Sequence, residues 1–180
     1  MARTVYIVIS QTGTMLSMIL KALTKAEYNH ASISLDPKLD TMYSFGRLNP
    51  YNPFVGGFVT ESPRYGTFKR FSKTTAIVLS MNVSEEQYAM LEQKLESMCA
   101  NKKKYHYNYL GLFLAGIHIP YKQKRCYYCS EFVKEMLVRS NIRGAKDIDP
   151  IVKPIHFLHL PDTAQIYHGK LCDYGKEEEK

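Results

Sequence analysis

The residue most suited to covalent chemistry is Cys129, inside the stretch RCYYCSEFVKEMLVRS at residues 125–140. Phe132, Val133, Met136, Leu137 and Ser140 follow it at i+3, i+4, i+7, i+8 and i+11, which is one face of an α-helix. Glu131 comes early and Lys134 and Arg139 late, a charge order that complements a helix dipole beginning near Cys129. The free amides and positive dipole of a helix start stabilise a thiolate. A cysteine of ordinary pKa about 8.5 is therefore expected to titrate lower there and to act as a nucleophile near neutral pH. The same amides can hold an oxyanion. Packing is the competing reading, because free cysteines are among the most buried residues. Cys126 and Cys129 also form a C-x-x-C, which elsewhere carries dithiol redox chemistry or half a zinc site. Cys99 and Cys172 stand alone, so zinc lacks a second pair.

A thiol nucleophile needs a base. In NHASISLD, His30, Ser32 and Ser34 alternate with Ala31, Ile33 and Leu35, the pattern of a half-buried strand. A turn-rich segment at residues 36–40 leads to a second strand at 41–45, where Met42 and Ser44 share one face and Tyr43 and Phe45 the other. In a hairpin register that sets Ser44 beside His30, the hydroxyl could hold the imidazole tautomer. The alternative is a plain hairpin with a surface histidine. His106, His118, His156, His159 and His168 have no comparable strand-before-helix setting and read as ordinary core or surface residues.

Around these, residues 5–9 read as a buried strand and residues 15–25 as a helix with Leu16, Ile19, Leu20 and Leu23 on its core face. Residues 46–66, rich in Gly and Asn-Pro pairs, read as a long loop that could border the cleft. Residues 68–71 and 74–81 read as strands. A capping box at Ser84 to Gln87 opens a helix bearing Tyr88, Leu91, Leu95 and Met98. The apolar run 109–119 is too short to span a bilayer and reads as a core helix. Beyond Asn141 loops and short pieces are expected, with residues 1–174 forming one α+β domain and 175–180 a disordered tail.

The chain has 180 residues, 45% of them hydrophobic, enough for one ordinary domain core. Four cysteines without an export signal suggest reduced thiols and a cytoplasmic protein. A net charge of +7 favours anionic partners without identifying one, and no nucleic-acid motif or transmembrane segment is evident.

CSEFV opening a late helix, after the HASISLD strand and the MYSF strand, resembles the circularly permuted papain-like hydrolases of the NlpC superfamily. It is most similar to the YiiX-like group related to lecithin:retinol acyltransferase. The histidine precedes the cysteine, the reverse of papain. The resemblance implies an antiparallel sheet packed against helices with the nucleophile at a helix N-terminus. It implies Cys129 as nucleophile, His30 as general base and acid, and Ser44, or Tyr43 in its place, as the residue orienting His30. It also implies hydrolysis or acyl transfer at an amide, ester or thioester without a cofactor, on a small-molecule, peptide or lipid-amide substrate. A dithiol redox protein and a non-catalytic binding module on the same fold remain the alternatives.

Overall fold

The computed structural model describes residues 2–11, 27–49 and 52–176. Among the described residues, eight strands form one sheet: β1 Ala2–Gln11, β2 His30–Ser34, β3 Met42–Asn49, β4 Asn52–Glu61, β5 Thr75–Ser84, β6 His106–Tyr107, β7 Cys126–Tyr127 and β8 Thr163–Lys170. Their spatial order is β7-β6-β4-β3-β2-β1-β5-β8. Every neighbouring pair is antiparallel except β6 with β7, which is parallel. Among the described residues, four α-helices accompany the sheet: α1 Gly66–Arg70, α2 Glu85–Ala100, α3 Tyr109–Gly116 and α4 Cys129–Arg139. The architecture is α+β, a large and mostly antiparallel sheet packed with helices.

Alternation along β1 divides the core between the two faces of the sheet. Val5, Ile7 and Ile9 join Ala31, Ile33 and Phe45 beneath α2 and α4, where Leu91, Leu95, Phe132, Val133 and Leu137 complete the larger cluster. Val8 points the other way, into a smaller cluster with Met42, Phe68 and Val78. Burial of each such side chain contributes about 1.5–3 kcal/mol, so the larger cluster dominates the fold's stability. Helix α2 begins as its sequence requires: Ser84 Oγ accepts from the Gln87 amide at 3.1 Å, and Gln87 Oε1 accepts from the Ser84 amide at 2.9 Å.

Four sequence expectations are corrected. Residues 46–66 are not mainly a loop, since β3 and β4 form a hairpin paired from Met42↔Glu61 to Asn49↔Asn52. Its misleading turn signal, Gly56-Gly57, lies within β4. A Cβ at Gly56 would fall 2.8 Å from both Tyr107 Cβ and the Tyr109 hydroxyl, so glycine there serves close approach. Residues 68–71 fall on helix α1 and its end, with Phe68 as the buried anchor. β8, eight residues long, forms in the region expected to hold loops and short pieces, because β5 supplies a partner along Thr75↔Lys170 to Met81↔Thr163. The run at 109–119 does form a helix, α3, but Gly111 is its one buried residue. The helix expected at 15–25 and most of the expected tail, residues 177–180, lie outside the described residues. Among the described residues, no helix is long and apolar enough to cross a membrane.

Candidate active site

His30 opens β2, and Ile33 pairs with Tyr43 of β3. Continuing that register sets His30 opposite Gly46 and Ser32 opposite Ser44. The imidazole partner is Glu61, at the end of β4, rather than Ser44. His30 Nε2 lies 2.8 Å from Glu61 Oε2, and Ser32 donates its hydroxyl to the same oxygen at 2.8 Å. Both side chains are well covered, with 13% of His30 and 12% of Glu61 exposed. Phe68 meets the ring edge-on at 5.9 Å between centroids.

For the Glu61 carboxylate to reach β2 it must pass over β3, where Ser44 and Gly46, the residues set opposite Ser32 and His30, are small. A Cβ at Gly46 would lie 3.4 Å from Glu61 Oε1 and 3.8 Å from His30 Cε1, so a larger residue would press on the pair. Ser44 shares this face, but its hydroxyl donates to the Ala31 carbonyl at 2.6 Å and is fully buried. It ties β3 to β2 and does not hold the ring. Tyr43 points to the opposite face, where it stacks on Phe58 at 6.3 Å.

Cys129 is the first residue of α4 and is 5% exposed. Its sulfur lies 3.8 Å from the carbonyl of Asn29, the residue before His30. The helix start is fixed by a buried polar network. Glu131 Oε2 accepts from the Tyr128 amide at 3.4 Å and from Asn108 Nδ2 at 3.4 Å, while Asn108 Oδ1 accepts from the Gly111 amide at 2.9 Å. A Cβ at Gly111 would meet Asn108 Nδ2 at 2.2 Å, so glycine is required where α3 begins. Asn108 thereby links the first turns of α3 and α4. Ser130 adds a bond to the Val152 carbonyl at 2.8 Å, and Phe132 anchors the helix on Phe45 with ring centroids 5.2 Å apart.

Burial alone would discharge His30. The Glu61 charge opposes it, together with hydrogen bonds to Cys129 and Glu61, and the net effect holds His30 well above the ordinary histidine value. With Nε2 engaged by Glu61, Nδ1 is the nitrogen left for the sulfur. Tyr107 also sits in the field of Cys129. Burial first, then the negative potential of Cys129, pushes its phenol well above the ordinary tyrosine value, keeping it a protonated donor. Cys126, in β7, is buried and free, and burial raises its thiol.

A narrow slot of about 50 Å³ opens beside Cys129 between Tyr28, Tyr107, Leu112, Gly116, Val152 and Pro154. A wider cavity of about 420 Å³ borders Glu61 and includes Arg47, Thr60, Tyr65 and Lys102. Among the described residues, no group of three or more His, Cys, Asp or Glu side chains could hold a metal ion.

The structure thus brings Cys129 and His30 together, directs Ser44 and Tyr43 elsewhere, and adds Glu61, Ser32 and Tyr107. The available signal for Glu61 was the alternation Val59, Glu61 opposite Ser44, Met42, readable only once β4 is seen as a strand. No protein-family model matches the chain, and no curated protein matches it.

Proposed function

We propose that the chain is a cysteine hydrolase or acyltransferase of the permuted papain-like kind that its sequence resembles. The supporting observation is the relay from Glu61 through His30 to Cys129 at the start of α4. His30 takes the proton of the Cys129 thiol, and the thiolate attacks the carbonyl carbon of an amide, ester or thioester. The backbone amides at the start of α4 and the Tyr107 hydroxyl hold the resulting oxyanion. As the carbon–heteroatom bond breaks, the His30 imidazolium gives its proton to the leaving amine, alcohol or thiol, leaving an acyl-thioester on Cys129. His30 then deprotonates water, or an acceptor alcohol or amine, which attacks the acyl-thioester. The thiolate leaves, takes back the proton from His30, and releases an acid or a transferred acyl product. Glu61 fixes the ring orientation and stabilises the imidazolium throughout.

The dithiol reading is weaker. Cys126 and Cys129 are both free, and a thiol raised by burial is a poor resolving thiolate. Iodoacetamide labelling at neutral pH, followed by mapping, tests the choice: Cys129 is expected to react first, and His30→Ala to slow it strongly. Faster labelling of Cys126 or Cys99 would sink the proposal.

A further inference from the structure

Helix α3 and the segment after it, YLGLFLAGIHIPY at residues 109–121, carry six of the ten large hydrophobics exposed among the described residues. Phe113 is 62% exposed, Ile117 56% and Leu110 52%. A contiguous apolar patch of this kind is unfavourable in water and marks a surface that is covered in use. Its surroundings indicate what covers it. Between residues 102 and 130 the chain carries Lys102, Lys103, Lys104, Lys122, Lys124 and Arg125, and no Asp or Glu. Lys122, Lys124 and Arg125 follow the apolar segment directly and are exposed. Within 109–121 the polar side-chain groups are confined to the terminal tyrosines and His118, a poor set for a hydrogen-bonded protein interface. Apolar and aromatic side chains with a cationic flank match a negatively charged lipid surface instead.

We propose that α3 and the loop to Tyr121 dock on an anionic lipid bilayer, with Leu110, Phe113 and Ile117 entering the headgroup boundary and Lys122, Lys124 and Arg125 meeting lipid phosphates. The docking stands independently of the chemistry at Cys129. Its consequence for substrate rests on the thiol-hydrolase reading. Leu112, Ala115 and Gly116 of the same helix line the slot at Cys129, so a docked α3 sets that slot beside the lipid surface. The substrate class is then an acyl ester or amide held in the bilayer.

Co-sedimentation of the full chain with phosphatidylcholine vesicles, with and without phosphatidylglycerol, tests the docking. Binding is expected to the anionic vesicles and to weaken with salt. It should fall at least about tenfold in the double variant F113S/I117S and several-fold in K122Q/K124Q/R125Q. C129A should bind like the wild type, so lost turnover with retained binding indicts the chemistry, and lost binding with retained turnover on a soluble ester indicts the surface. The chain contains no tryptophan, so Phe113→Trp supplies a single emission reporter that should shift to the blue on anionic vesicles. Absence of that shift, equal sedimentation of F113S/I117S and wild type, or a wild-type dimer that F113S/I117S converts to monomer, would overturn the proposal; the last would assign the face to a second copy.

Discussion

Helices α3 and α4 are neighbours in sequence, joined at their first turns through Asn108 and Glu131, and opposite in how they use apolar residues. In α4 the hydrophobics occupy one stripe, with Lys134, Glu135 and Arg139 on the other, and the stripe is buried from Phe132 to Leu137. In α3 there is no charged residue at all, and Gly111 alone is buried. The difference lies in phase. A stripe tells the helix which side to turn inward, whereas an unbroken apolar run supplies no such instruction and is placed by what surrounds it. Here Asn108 and the slot at Cys129 engage one side of α3 and leave the other to the surroundings.

The sharpest way to separate the two helices is at the chemistry proposed for α4. His30→Ala is expected to reduce turnover of an activated ester by about 10⁴-fold while far-ultraviolet circular dichroism stays unchanged. Retention of most turnover would leave α4 a packing element like any other. Next in size, Phe132→Ala should cost about 3–5 kcal/mol in urea unfolding, whereas Phe113→Ala should stay within about 0.5 kcal/mol. Equal losses would mean that α3 is as much a part of the core as α4.

Glu61→Gln keeps the shape of the pair and removes its charge, and should lower turnover by about 10²-fold and move the histidine titration, read by NMR, down towards the ordinary value. The smallest effect is on stability. Because the folded state raises the His30 pKa, it binds the proton more tightly than the unfolded chain does. The resulting stabilisation is complete below about pH 6.5 and is lost as pH rises through the higher folded value. Urea midpoints measured across that window should decline for the wild type and flatten for Glu61→Gln. An unchanged slope would show that another group sets it.

The start of α4 at Cys129 was legible because two independent patterns coincide there, a helical apolar stripe and charges ordered along the dipole. His30 was legible from period-two alternation. Glu61 was not, for two reasons. Gly56 and Gly57 resemble a turn although Gly56 serves the approach of Tyr107 and Tyr109 and Gly57 that of the Tyr105 carbonyl, and the carboxylate reaches its histidine across a whole intervening strand. A partner two strands away is a tertiary fact that local spacing cannot express. Ser44 was drawn to the role because it is polar and on the correct face. What its position requires is a small side chain, and that requirement leaves no polar signature. β8 was missed for a similar reason: its residues are largely half-buried or exposed, and the strand exists because β5 offers an edge.

Asn29 and Cys129 touch although 100 positions separate them in the chain. During synthesis the histidine strand emerges long before the cysteine does, and local contacts alone cannot close a loop of that span. Until α4 settles on the sheet, Cys129 has neither its helix dipole nor His30 beside it. In the proposed chemistry the nascent chain is therefore inert towards acyl groups, and the nucleophile is activated by completion of the fold.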